Sequence, residues 1–209
     1  MKAPGPNRIR ALRMPLLTRR LELCWPSARL NDQVVRLVND PAVHRWTLHI
    51  PSPYGRVDAD EFVRRARANR RSGRSLSFQI VRRSDGMLLG GVGLHGLGNP
   101  NGTAEVGYWL GRSFRGHGFA TEAVQAVTRA AFDHLAIERV DARVFPGNAK
   151  SERVLLRSGF RREGQLRESV VKDGKRKDEI VYARLRSDPE PVPPASPLPG
   201  RRGTVPRTR

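Results

Sequence analysis

The feature that most constrains the fold is a change of period in the middle of the chain. From Thr103 to Leu110 apolar and polar residues alternate as in a half-buried strand. Residues 111–118 then carry Gly111, Gly116 and Gly118, and from about Phe119 to Leu135 the residues Ala123, Val124, Val127 and Ala131 recur at helical spacing. A strand that ends in a glycine loop and feeds a helix brings unpaired backbone N–H groups and the positive end of a helix dipole to one point, an arrangement suited to a phosphate. Gly116 and Gly118 let the backbone approach such an anion without a Cβ in the way, and small Ala120 keeps the helix close. The plainer alternative is a helix start in which the glycines only turn the chain. The loop is neither a P-loop, since no Gly-Lys-Ser/Thr follows, nor a dinucleotide fingerprint, since the Gly-x-Gly-x-x-Gly spacing is missing. Glu122, in the first helical turn, is explained by compensation of the dipole.

The flanking sequence predicts one domain with tails. A chain of 209 residues with 38% apolar content supports one well-buried core. Residues 1–17, with Pro4, Pro6 and Pro15, read as a mostly disordered lead-in, and residues 187–209 as a disordered tail rich in proline and arginine, leaving a folded unit over 18–186. Within it, Arg19 to Trp25 alternates as a first strand and Ser27 caps a helix that Asp40-Pro41 closes. An irregular segment carries His44, Trp46 and His49, and a second helix starts at Asp58 or Asp60 and ends at Gly73. Strands Ser75 to Arg82 and Met87 to Leu97 flank an Asp85-Gly86 hairpin signal. Beyond the central helix come strand Arg139 to Phe145, a helix over Ala149 to Arg157 and closing strands Phe160 to Val170 and Lys177 to Leu185.

Composition excludes several functional classes. One cysteine, Cys24, cannot build a disulfide framework and sits in an apolar alternation as a packed or edge thiol. The five histidines show no paired ligand spacing, so no metal is expected. No apolar run approaches the roughly 20 residues of a membrane span, and the basic start is followed by no hydrophobic signal core, which predicts a soluble, cytoplasmic protein. The formal charge of +19 attracts polyanions. Arginine scattered through every segment explains most of it as compositional; ribosomal RNA or the phosphates of a cofactor are the functional alternatives, and direct nucleic-acid contact stays open. Arg64, Arg65, Arg67, Arg70, Arg71 and Arg74 form a basic helix face without interleaved aromatics, which reads as a solvated surface.

Arg115-x-x-Gly118-x-Ala120 resembles the Gln/Arg-x-x-Gly-x-Gly/Ala signature of the GNAT acetyltransferase superfamily. The flanking Ala104-Glu105-Val106-Gly107-Tyr108-Trp109-Leu110 and Ala120-Thr121-Glu122-Ala123 resemble its RimJ/RimL branch. A second block, from Asn148-Ala149-Lys150-Ser151 to Ser158-Gly159-Phe160, is similar to the family's helix and glycine-phenylalanine corner, and Glu163 to Glu168 and Asp178 to Ala183 are also family-like. The resemblance implies a mixed α/β, GNAT-like fold: a central, mostly antiparallel twisted sheet of roughly six to seven strands with a splayed parallel pair, flanked by about four helices. It implies acetyl-CoA as co-substrate, its pyrophosphate on the amides of Gly116, His117, Gly118, Phe119 and Ala120 beside Arg115. The pantetheine arm would lie along Leu110 to Arg112, with Asn148 on its other side. The plainer alternative is a solvated charge for Arg115 and, more readily, for Arg112, and a helix cap for Asn148, which would not exclude cofactor contact.

Direct acetyl transfer requires a neutral amine, a polarised thioester carbonyl and a stabilised leaving thiolate, and no covalent nucleophile. Glu105 is the first candidate base, since the family often has an acid there, against the alternative of a surface carboxylate; Glu168 is the second. Many family members carry a tyrosine seven residues after the pantetheine asparagine to protonate the thiolate, and here that position is Leu155. Ser151 matches a serine that RimJ/RimL-like enzymes place near the coenzyme sulfur; the alternative is a helix-surface serine. His95 is a structural histidine or a proton relay, and core packing accounts for at least one of Tyr108 and Trp109. The RimJ/RimL likeness points to a protein N-terminal amine, ribosomal proteins included, as acceptor. A polyamine, antibiotic or metabolite amine is the second reading, and a non-enzymatic nucleic-acid-binding module the third. Oligomeric state is not legible.

Overall fold

The computed structural model describes Ile9 and residues 12–191. The segments of period two become one sheet: β1 (Leu16–Leu17), β2 (Leu21–Cys24), β3 (Leu76–Arg82), β4 (Leu88–His95), β5 (Thr103–Leu110), β6 (Arg139–Val144), β7 (Arg161–Lys172) and β8 (Lys175–Leu185). The helices are α1 (Asn31–Val38), α2 (Pro41–Trp46), α3 (Arg56–Ser72), α4 (Phe119–His134) and α5 (Ala149–Arg157). Strand order is β1-β2-β3-β4-β5-β6-β8-β7. Every neighbouring pair is antiparallel except β5 and β6, which run parallel and pair only over Thr103–Glu105 against Arg139–Asp141.

Among the described residues the sheet has eight strands and five helices flank it, one more of each than expected. The additions are β1 and α2. β1 is two residues long, too short for any alternation to show, and it pairs with β2 through Leu16↔Leu23 and Leu17↔Glu22. The folded unit therefore starts before residue 18: Leu12 and Ile9 are also buried in the core, and hydrophobic burial rather than the prolines decides their state. At the other end Glu190, expected in the tail, lies 3.0 Å from Arg129 and 3.1 Å from Arg184. Residues 1–8, 10, 11 and 192–209 of the expected lead-in and tail lie outside the described residues.

Local chemistry accounts for the helix boundaries. The Ser27 side chain accepts from the Arg29 N–H and opens a short 3-10 turn, Ala28–Leu30, ahead of α1. Asp40-Pro41 closes α1 as expected, but it also opens α2: Asp40 Oδ1 accepts the Ala42 N–H at 2.9 Å and Pro41 occupies the first helical position. The segment read as irregular is thus helical as far as Trp46, and His49 lies beyond the helix. α3 begins at Arg56 rather than at Asp58 or Asp60, because the Asp58 carboxylate reaches back to the Gly55 N–H at 2.8 Å. Gly73, at φ 76°, ends α3 as a left-handed cap.

Two apolar cores cover the two faces of the sheet. α4 packs Ala123, Val124, Val127 and Ala131, all at 0% exposure, against one face, where Leu21, Leu23, Ile80, Leu89 and Val106 meet them. α1, α2 and α3 bury Val34, Val38, Val43 and Ala59 on the other face with Val81 and Leu88. β3 is buried on both sides from Leu76 to Val81, although polar Ser77 and Gln79 alternate in it; the Gln79 amide is bonded to the Ser27 backbone. Cys24 packs beside the second core; its thiol donates to Glu22, and burial pushes it up to about 12, which removes the thiolate needed for chemistry.

Candidate functional site

The last paired residues of β5 and β6 are Glu105 and Asp141; beyond them the two strands separate. Residues from Val106 to Leu110 keep only β4 as a neighbour, with Val106 opposite Leu94 and Leu110 opposite Gly90. The strands of this gap lead to the first turns of α4 and α5. Strand alternation sends Glu105, Gly107 and Trp109 to the face covered by α1–α3, and Tyr108 and Leu110 to the face covered by α4.

The glycine loop follows β5 directly. A 3-10 turn, Arg112–Phe114, leads through Arg115 to Gly116 at φ 85° and Gly118 at φ 78°, and α4 begins at Phe119. Among the described residues the N–H groups of Gly116, His117 and Gly118 have no acceptor, and no side chain caps the helix. A Cβ added at Gly116 would meet nothing within 4 Å. Phe119 and Ala120 are buried at the first turn, while Gly116, His117 and Gly118 are exposed. Donors without partners, left-handed glycines and open space above them fit a diphosphate. Arg115 is placed differently from expectation. Its Nε donates to the Leu110 carbonyl at 3.0 Å and its Nη2 lies 2.7 Å from Asp40 Oδ2, so its charge fixes the loop against α2 and the strand end instead of reaching outward. Arg112 is exposed on the 3-10 turn.

Arg20, absent from any sequence motif, braces the loop from β2's leading edge. Its Nη1 donates to the His117 carbonyl at 2.9 Å, its guanidinium lies 4.5 Å from the Phe119 ring centroid, and its Nε donates to Glu122 Oε2 at 2.6 Å. Glu122 also accepts from the Arg20 N–H at 2.8 Å and from the Thr18 hydroxyl at 2.6 Å. This carboxylate is thus a strand-to-helix clasp, a fuller role than dipole compensation. Burial alone would raise the Glu122 carboxyl, but the three bonds outweigh it and hold the group below its ordinary value. Its contribution to stability is therefore complete above the ordinary carboxylate range and is lost as pH falls through the lowered folded value. Glu122→Gln is expected to destabilise the fold by about 1.5–3 kcal/mol, the range for hydrogen bonds to a charged group, with a smaller difference in acid. Thermal melts at neutral and acidic pH check both parts; equal differences at the two pH values would refute the clasp.

α5 supplies the other wall. The Asn148 side chain accepts from the Ser151 N–H at 3.3 Å, so it is a helix cap, and its amide nitrogen has no partner among the described residues. The Ser151 hydroxyl lies 2.7 Å from Tyr108 Oη across the gap. Leu155 is fully buried in the core, so its position carries no proton donor.

On the α1–α3 face, Glu105 sits opposite His95, whose ring folds over a glycine floor: a Cβ added at Gly93 would meet His95 Nε2 at 3.1 Å, and one at Gly107 at 3.6 Å. Both side chains touch solvent and yet are desolvated by protein around them, the condition of groups lining a cleft. Burial, then the nearby His49, lowers His95. Burial raises the Glu105 carboxyl; Arg143, 3.6 Å away, opposes the rise, and Glu179 and Asp141 reinforce it. Glu179 is held by Arg143 at 3.1 Å and by the Ser169 hydroxyl at 2.8 Å. α2 flanks the same cleft: Trp46 lies 3.9 Å from the Cβ position of Gly147, and His44 Nε2 lies 3.2 Å from Asp173 in the β7–β8 turn. Glu168 is not brought into this group. It stands exposed at φ 49° in an irregularity of β7, where its N–H donates to Asp178 at 2.8 Å. Sequence reading missed Arg143 and Glu179, which lie on separate strands with no shared motif. Among the described residues no set of three potential metal ligands clusters, and no helix is long and apolar enough to cross a membrane.

Residues 20–161 match the family model described as an acetyltransferase (GNAT) domain. An uncharacterized N-acetyltransferase, p20, of Bacillus licheniformis is 30% identical over 174 residues, 83% of this chain and 97% of that protein. The ribosomal-protein-serine acetyltransferase of Escherichia coli (strain K12) is 32% identical over 98 residues, 47% of this chain and 55% of that protein. The match to two further relatives likewise spans only 57% and 64% of their lengths. Among solved structures, Mycobacterium smegmatis RimJ in complex with CoA-disulfide superposes with a TM-score of 0.73 at 26% identity, covering 79% of this chain and 81% of that one.

Proposed function

This chain belongs to the GNAT acetyltransferase family, and from that premise we propose that it moves an acetyl group from acetyl-CoA directly to a primary amine, in the first place the N-terminal α-amine of a protein such as a ribosomal protein. One observation carries the reading: the parallel pair β5–β6 opens beside an uncapped helix start whose glycine-flanked N–H groups have no other acceptor among the described residues. The 26% identity to a RimJ crystallised with a CoA-disulfide supports the same donor.

In this mechanism the amides of Gly116, His117, Gly118, Phe119 and Ala120 hold the diphosphate, with Arg20 and Arg115 fixing the loop that presents them. Leu110, Arg112 and the Asn148 amide flank the pantetheine arm. Acetyl-CoA supplies the activated acyl group. On the opposite face Glu105 accepts the proton released by the amine, directly or through one water, and its raised carboxyl suits it to that task. An α-amine, with a pKa of about 7.7–8.0 against about 10.4 for lysine, demands only a modest base. Ser151 donates a hydrogen bond to the leaving sulfur. Glu168 stands apart from the cluster of Glu105, Arg143 and Glu179, and we assign Glu179 in its place as the carboxylate that tunes Glu105.

A small-molecule amine is the second reading, favoured by the carboxylates Glu105, Asp141 and Glu179 gathered in the cleft of a chain whose formal charge is +19. The two readings separate when the full chain is given acetyl-CoA and a thiol reagent that reports released coenzyme A. Turnover on N-terminal peptides of ribosomal proteins, with silence on polyamines, aminoglycosides and amino acids, is the expected result. The reverse pattern selects the second reading, and silence on every amine refutes acetyl transfer.

A further inference from the structure

At the mouth of the β5–β6 gap one phenol faces two acceptors. Tyr108 Oη lies 2.7 Å from Ser151 Oγ and 3.1 Å from the Ser151 carbonyl oxygen. A phenol has one proton to donate, and a serine hydroxyl can both donate and accept. The two hydroxyls therefore have two arrangements. In one, Tyr108 donates to the carbonyl, and the Ser151 proton fills the 2.7 Å gap and points at the tyrosine. In the other, Tyr108 donates to Ser151 Oγ, and the serine proton turns away from the tyrosine.

The surroundings leave this pair to itself. Burial raises the Tyr108 phenol above its ordinary value, which keeps its proton on oxygen throughout the neutral range. The neighbouring Tyr182 hydroxyl is engaged with Glu152 at 2.9 Å, so neither of them competes for Ser151. The Ser151 N–H is committed to Asn148, which fixes the first turn of α5 and with it the serine. Among the described residues, Tyr108 is the only side chain that bonds the Ser151 hydroxyl.

We propose that Tyr108 is a positioning residue that aims Ser151: by donating to Ser151 Oγ it frees the serine proton to hydrogen-bond the sulfur of the departing coenzyme A thiolate. This rests on the acetyl-transfer reading. In the step itself the amine nitrogen forms the C–N bond and the C–S bond breaks with its electron pair going to sulfur. The amine's proton passes to Glu105 and then to solvent. The thiolate leaves hydrogen-bonded to Ser151 and takes its proton from solvent, so both hydroxyls keep theirs. A donor that need not ionise explains how a phenol with a raised pKa can serve the leaving group.

The test compares coenzyme A with desulfo-coenzyme A, binding each to the full chain from pH 7 to pH 10 by calorimetry. The preference for coenzyme A should rise about tenfold as its thiol ionises around the ordinary thiol value of about 8.5, the effect of one hydrogen bond to a charged group. Tyr108→Phe and Ser151→Ala should each flatten that rise and leave desulfo-coenzyme A binding within about twofold, which also reports that both variants are folded. A pH-independent preference in the unaltered chain overturns the inference, as does a Tyr108→Phe variant that keeps the rise or loses both ligands alike. If the unaltered chain binds neither compound, the acetyl-transfer reading falls and the inference with it.

Discussion

Gly118→Val is expected to weaken acetyl-CoA binding by at least about 100-fold in a protein that still folds. Gly118 holds φ 78° at the cap of α4, where an L-residue costs about 1–2 kcal/mol and a β-branched one more. Relieving that strain would rotate the peptide planes around residue 118 and turn away the N–H groups proposed to hold the diphosphate. A second effect adds to the first. The new Cβ would stand 3.3 Å from Arg20 Nη2, before the two valine methyls are added, so the guanidinium that holds the His117 carbonyl must also shift. Gly116 separates the causes: at φ 85° with open space around its Cβ position, Gly116→Ala carries strain alone and should lose less affinity. Calorimetric titration with coenzyme A measures the loss, and a thermal melt shows whether each variant is folded. Undiminished affinity in a folded Gly118→Val chain would remove the diphosphate from this helix end.

Features written in one stretch of chain were legible. The α4 face was readable because helical periodicity puts Ala123, Val124, Val127 and Ala131 on one side, and all four are fully buried. The Asp85-Gly86 hairpin was readable because a short turn needs a left-handed residue, supplied by Gly86 at φ 70°. The same chemistry is not legible at Asp173-Gly174, where the lysine-rich flanks of β7 and β8 show no apolar alternation, and both strands extend beyond their expected ends. What the sequence hid depends on contacts between distant segments. Arg115 lies within a family-like loop, yet its partner is Asp40, brought beside it only by the packing of α2. Arg20 reaches Glu122 across 102 residues of chain. Glu168 resembles a catalytic acid by its place in the sequence, but it stands exposed in an irregularity of β7, while the pairing of β6 with β8 puts Glu179 beside Arg143. A one-residue change in register moves a side chain to the opposite face of a strand, so position along β7 could not identify the acid.

Glu105→Gln is expected to lower kcat by about 10²–10⁴-fold, the usual contribution of a positioned general base, with little change in the KM for acetyl-CoA. The pH profile gives the sharper check. A base acts only when deprotonated, and burial together with Glu179 and Asp141 raises the Glu105 carboxyl, against the pull of Arg143. The rate of the unaltered enzyme should therefore fall, as pH drops, through a value above the ordinary carboxylate range. His95 stands opposite but is shifted downward by burial, and His95→Gln should retain this limb. In Glu105→Gln the limb disappears and the residual rate follows the ionisation of the amine alone. Stability should move the other way. A carboxyl whose folded value is raised binds its proton more tightly folded than unfolded, so its ionised form opposes folding at neutral pH and the neutral glutamine does not. A lost rate with an unchanged or higher melting temperature marks Glu105 as a group held in an unfavourable state for its chemistry. A surviving acid limb would assign the base to another residue, and Arg143 would then be the stabilising partner of a structural carboxylate.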